Sequence, residues 1–180
     1  MATKTYAIVA GWKGTNGTTV PGSLSDWQGK TALDAGELAA LNDANDATYV
    51  EVAGGTDERP GICLQCTTIE AEGDVTSLTP LIRALDALGN VGYNYALYIW
   101  NHDSIAFESI DDKTMTTSAQ NWTGAITSSC ANYIDTDDIY FLLMNTAGAH
   151  PEDAVAHFLR GYLDEVYTAA STYIPKTCLM

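Results

Sequence analysis

Basic residues are scarce in this sequence. Its 180 residues hold 8 Lys and Arg against 23 Asp and Glu, a formal net charge of −15. A surface of that sign repels phosphates, which excludes nucleic acid as a partner. The acids are scattered from Asp26 to Glu165 with no long block, so they form a solvated acidic surface and not an acidic tail. Such a surface suits salty or divalent-rich surroundings, where screening is strong. Long apolar runs are missing too. No stretch reaches the length that spans a membrane. Met1-Ala2-Thr3-Lys4-Thr5-Tyr6 lacks the apolar run and cleavage site of a secretory signal. The expectation is a chain made in the cytoplasm, with no membrane partner.

Catalytic signatures are absent as well. There is no HExxH, no GxGxxG, no GxSxG and no phosphate-cradling loop ending in Gly-Lys-Ser/Thr. His102 falls in a turn beside Asp103, His150 precedes Pro151, and His157 lies in the last segment; a His-Asp neighbour pair without a nucleophile makes no triad. The adjacent acids Asp111-Asp112, Asp137-Asp138, Glu152-Asp153 and Asp164-Glu165 read as solvated loop residues and not as a glycosidase pair. Asn42-Asp43-Ala44-Asn45-Asp46 has calcium-loop residues but lacks the Gly and the distal Glu of an EF-hand. Cys63-Leu64-Gln65-Cys66 has CxxC spacing without a second CxxC. Its flanks read as strand, where residues three apart point to opposite faces. Buried, reduced thiols are therefore expected. These absences leave a non-enzyme with no catalytic residue, no cofactor and no metal ligand.

What the sequence does have is alternation. In Tyr93-Asn94-Tyr95-Ala96-Leu97-Tyr98-Ile99-Trp100-Asn101, aromatic and branched residues alternate with period two, the pattern of a half-covered strand. Asn101-His102-Asp103-Ser104 supplies a turn, and Ile105 to Ile110 returns. Ile139 to Thr146 is apolar on both faces and reads as a central strand. Val75 to Asp86 could be helix or strand; Thr76, Ser77 and Thr79 favour strand, Pro80 argues against a helix interior, and in a strand Pro80 marks an edge or bulge. From Val155 to Ala170 the apolar spacing taken alone is helical, opened by Pro151-Glu152-Asp153.

Residues 1–30 stand apart, broken at Gly14, Gly17, Pro21, Gly22 and Gly29. They read as an extended N-terminal arm, with residues 31–180 as the folded domain. Tyr6, Ile8, Trp12 and Trp27 are the candidate anchors by which such an arm would grip a neighbouring subunit, although the Trp residues suit packing on their own domain equally well.

The succession "LNDANDATYVEV", "TSLTPLIRAL", "YALYIWNHDSIAFESID", "WTGAITSSCANYIDTDDIYFLLMNT" and "HFLRGYLDEVYT" resembles the jelly-roll domains of the galactose-binding-like superfamily, above all those of bacteriophage virion proteins and cell-surface β-sandwiches. The resemblance covers residues 33 to 170. It implies an all-β, antiparallel β-sandwich and makes Phe158 to Thr168 a strand, bulged near Gly161, in place of the helix. It also implies a structural role in a virus particle, as a capsid decoration or head–tail accessory protein bound to the major capsid protein or to neighbouring copies of itself as a homo-oligomer. The alternatives are a carbohydrate-binding module, with Tyr98, Trp100, Trp122 and Tyr140 as candidate sugar platforms at an extracellular surface, and a subunit of an extracellular filament.

Overall fold

In a computed structural model that describes residues 1–55, 58–87, 93–146 and 155–168, the chain is built of strands β1 (Ala2–Ala7), β2 (Ala10–Asn16), β3 (Thr31–Ala32), β4 (Val50–Ala53), β5 (Arg59–Thr67), β6 (Val75–Asp86), β7 (Asn94–Asn101), β8 (Ala106–Thr114), β9 (Gln120–Thr123), β10 (Asp138–Asn145) and β11 (Val155–Tyr167). Two short helices, α1 (Leu24–Gln28) and α2 (Ala35–Asn42), interrupt the first third. The turn expected at Gly89 and Gly92, the Pro151-Glu152-Asp153 start, His150 and Cys178 lie outside the described residues.

The strands form two antiparallel sheets, as expected. One has the order β1-β11-β6-β9, with β4 also beside β11; the other has the order β3-β2-β5-β10-β7-β8. Apolar side chains from both, among them Leu64, Leu97, Phe141, Ile82, Trp122 and Phe158, fill the space between them. The strand β10 sits between β5 and β7 and is buried from Ile139 to Asn145, which accounts for its two apolar faces. Pro80 lies on β6 between the rungs to β9, which begin at Leu81, and the bridge from Leu78 to Ile126. There the missing N–H of proline breaks no ladder on that side. The turn into β10 is tight: Thr136 and Asp137 both have left-handed backbone, φ 49° and 73°.

The last segment is a strand and not the helix its spacing suggests. β6 runs along one edge of β11, while β4 and β1 share the other edge end to end. The register shifts between Phe158 and Arg160, and Phe158 and Leu159 are both buried. A two-residue period with one irregularity produces spacings of three and four, which imitate a helix. Past the bulge, Gly161 faces the opposite sheet so closely that an added Cβ would lie 2.8 Å from Leu64 Cδ1 and 3.3 Å from Ile8. Gly161→Val is expected to cost about 1–3 kcal/mol by overpacking, read as a lowered urea midpoint; an unchanged midpoint would show that the sheets can part there.

The first thirty residues are set into this sandwich. Ala2 to Ala7 pair rung by rung with β11, from Ala2 opposite Tyr167 to Ala7 opposite Tyr162. Ala10 to Asn16 pair with β5 in the other sheet. The chain passes from one sheet to the other at Ile8 and Val9, where the Asn42 side chain bonds both N–H and C=O of Ile8. In place of a reaching arm, the described residues of this segment supply a strand to each sheet. The glycines that break the pattern in sequence let α1 fold back, capped reciprocally by Ser23 and Asp26.

Candidate functional site

Strand alternation gives the six-stranded sheet an inner set and an outer set of side chains. Tyr95, Leu97 and Ile99 of β7 and Ile139, Phe141 and Leu143 of β10 enter the core. Tyr98, Leu142 and Met144 belong to a separate outer cluster with Cys63, Trp12, Phe107 and Trp27. Register arranges this outer face in rows. Trp12 lies opposite Cys63, Cys63 opposite Leu142, and Leu142 opposite Tyr98. In the next row Gln65 lies opposite Tyr140, and Trp100 opposite Phe107.

Part of this face is closed. Trp27 of α1 is 1% exposed, donates its indole N–H to the Pro21 carbonyl at 2.6 Å, and rests on Gly61, where an added Cβ would lie 2.7 Å from its Cη2. The remainder is open. Trp12, Tyr98, Phe107 and Gln65 are half-buried, with Trp100 and Tyr140 packed more deeply at 6% and 9% exposure. The rings touch in series. Trp12 and Tyr140 are 6.4 Å apart, Tyr140 and His102 6.3 Å, His102 and Trp100 6.4 Å, and Trp100 and Phe107 5.0 Å, tilted or edge to face. An outer sheet face carrying this much aromatic surface differs from the polar outer face usual in antiparallel sandwiches.

The face is uncharged apart from its rim. Burial, reinforced by the Asp138 carboxylate that accepts from its hydroxyl at 3.4 Å, pushes Tyr140 up to about 12. Burial and then Asp112 push Tyr98 up, and burial pushes the Cys63 thiol up. No thiol or hydroxyl among these residues is activated for covalent chemistry. The arrangement suits a ligand with a flat apolar face and polar edges.

The sequence candidates separate cleanly. Tyr6, Ile8 and Trp27 are 8%, 3% and 1% exposed, packed within the chain itself; only Trp12 of that group reaches this open face. Of the candidate sugar platforms, Tyr98, Trp100 and Tyr140 are here, whereas Trp122 is fully buried between the sheets, its indole N–H on the Tyr95 carbonyl. Phe107 and Gln65 were not among the candidates. Pairing β8 back on β7 with alternation kept would have placed Phe107 opposite Trp100. The Asx-rich segment 42–46 is engaged by protein groups: Asn42 by Ile8, and Asp46 by the Arg83 guanidinium at 2.8 Å. Cys63 and Cys66 point to opposite sides of β5, one into each cluster.

A family model described as "Uncharacterized protein, C-terminal domain" matches residues 83–166, just under half of the chain. No curated protein matches it in sequence. Among solved structures, it is similar to a xylan-binding module, CBM15, at 11% identity and a TM-score of 0.50, covering 92% of this chain and 96% of that one. It is also similar to the CBM22-1 xylan-binding domain from Paenibacillus barcinonensis Xyn10C, at 9% identity and a TM-score of 0.47 over 72% of this chain and 80% of that one. A third is a family 35 carbohydrate binding module from an environmental isolate, at 9% identity and a TM-score of 0.43 over 91% and 92%. The fold this chain shares with the CBM15 module is the antiparallel β-sandwich of jelly-roll type.

Proposed function

We propose that this chain is a non-catalytic carbohydrate-binding domain that holds a neutral glycan against the outer face of its six-stranded sheet. The observation that carries this reading is the group of half-open rings Trp12, Tyr98 and Phe107, backed by the buried Trp100 and Tyr140, on a sheet face that would otherwise be polar. Sugar rings present C–H faces that stack on aromatic rings and hydroxyl edges that hydrogen-bond to polar neighbours. Gln65 and Ser109 stand among these rings, and Asp112 at their rim, as such neighbours by register. From Trp12 on β2 to Tyr98 on β7 is three strand spacings, about 14 Å, wider than one sugar. The net charge of −15 disfavours densely anionic polysaccharides. The names of the similar xylan-binding modules agree with a plant-type neutral polysaccharide, and such a role fits an extracellular or surface-attached protein.

Calorimetric titration with soluble xylan, galactan and β-glucan tests this. Saturable binding to at least one is expected, with Trp12→Ala and Tyr98→Ala each weakening it about tenfold, equivalent to about 1.4 kcal/mol, at unchanged thermal midpoint. Absence of binding across the panel, or wild-type affinity in both variants, would sink the reading.

A structural role in a virus particle has less to support it. The resemblance implied it, but the arm anchors Tyr6, Ile8 and Trp27 by which it would grip a neighbour are enclosed by their own domain. Electron microscopy of the native assembly would still distinguish a shell, a filament and a single domain.

A further inference from the structure

His102 directly follows β7 and touches the rings of both Trp100 and Tyr140. Its backbone N–H donates to the Asn132 carbonyl at 2.7 Å, which pins it although it stands in a turn. Its Nε2 is buried and has no hydrogen-bond partner among the described residues. Its Nδ1 faces Asp135 Oδ2 at 3.8 Å, too far for a hydrogen bond but within ion-pair reach. The charged groups facing the ring are Asp103 from its own turn, Asp135 and Asp138 from the turn that opens β10, and Glu72 from the turn before β6. Tyr140 adds a hydroxyl held neutral by burial.

A neutral imidazole fits this wedge, since a bare Nε2 is a single unfilled acceptor. An imidazolium does not fit. It would bury an N–H with no acceptor, which is costly. The nearest carboxylate lies outward: the Asp135 side chain is 69% exposed, that of His102 20%. A charged ring is therefore drawn away from Trp100 and Tyr140 toward solvent.

We infer that His102 is a proton-operated latch on the aromatic face: the neutral ring props Trp100 and Tyr140, which back the half-open rings of Phe107 and Trp12, and protonation pulls it toward Asp135 and loosens both. This latch rests on the glycan-binding reading above and adds its regulation. Burial holds His102 below the usual histidine range, against the opposite pull of Asp135, Asp138, Glu72 and Asp103. The transition thus falls below about pH 6.5. The sign follows: the glycan selects the neutral form, so affinity is level at neutral pH and falls as pH drops through the folded-state value.

The test is a binding profile with soluble xylan, or whichever polysaccharide of the panel binds, from about pH 7.5 to about pH 5. Wild type is compared with His102→Gln and Asp135→Asn, and the tryptophan emission of the ligand-free proteins is followed over the same range. Wild type should lose about tenfold in affinity toward the acid end. His102→Gln should stay level within about twofold, and Asp135→Asn should shift the wild-type transition to lower pH. A level wild-type profile, or a His102→Gln profile that falls like wild type, overturns the latch. If no glycan binds at any pH, the binding reading fails by itself. The latch then stands or falls on whether the unliganded wild type shows an emission change that His102→Gln lacks.

Discussion

Removing residues 2–28 unfolds the protein. The deletion strips six rungs from one edge of β11 and seven from β5, leaving two strands with bare edges and the outer face of β10 without the Trp27 that covers it. Trp27→Ala alone is expected to cost about 3–5 kcal/mol, the usual loss for a fully buried large aromatic. That is a large part of a marginal domain stability of about 5–15 kcal/mol. An N-terminal arm used only for assembly predicts the opposite: a truncated but folded monomer. Urea denaturation followed by circular dichroism separates the two. A truncated chain with a wild-type midpoint would show that β1, β2 and α1 are dispensable to the sandwich.

Glu165→Gln stabilises the protein at neutral pH and flattens its pH dependence. Glu165 is fully buried on β11. One carboxylate oxygen accepts from the Tyr6 hydroxyl at 3.4 Å, and the other has no partner among the described residues. Burial, with the repulsion of Glu70 added, raises its pKa above the ordinary carboxylate value, only partly countered by Thr68, Tyr6 and Lys4. A carboxyl whose folded pKa is raised holds its proton longer in the folded chain. Its contribution to stability is complete below the unfolded value of about 4.3 and is lost as pH rises through the folded value. Glutamine cannot lose a proton and escapes that loss. The variant should exceed wild type by about 1 kcal/mol or more at pH 8, the cost of ionising a carboxyl whose folded pKa is raised, and the gap should narrow toward pH 5. Parallel stability curves for the two proteins would refute this, because other titrating groups cancel in the difference.

The aromatic face and the segment that closes part of it show where sequence reading stops. β7 and β10 were readable because their side chains alternate without interruption between clear boundaries. β11 was readable only through resemblance, since one bulge at Phe158–Leu159 gave its apolar residues the spacing of a helix. Which aromatic belongs to which layer was not readable. Trp122 and Trp100 occupy similar strand contexts, yet the first is sealed between the sheets and the second lies on the outer side. The difference depends on the pairing of β9 with β6 and of β7 with β10, partners distant in sequence. Trp12 and Trp27 looked alike in a Gly-rich segment. They part because α1 turns Trp27 down onto Gly61 while Trp12 stays in the strand and half open. Short-range pattern indicates that an aromatic must be covered; only the long-range pairing shows by what.

The first rung of β1 has a further consequence. Ala2 stands directly opposite Tyr167, so the two backbones are about 5 Å apart. The start of β1 and the end of β11 therefore lie side by side on the surface. Such a domain can be spliced into the loop of a larger protein without forcing the flanking chain apart, or be carried as a side bead on a continuous strand. On the five-stranded sheet this junction lies in the layer opposite the aromatic face, so a host attached there leaves that face turned outward.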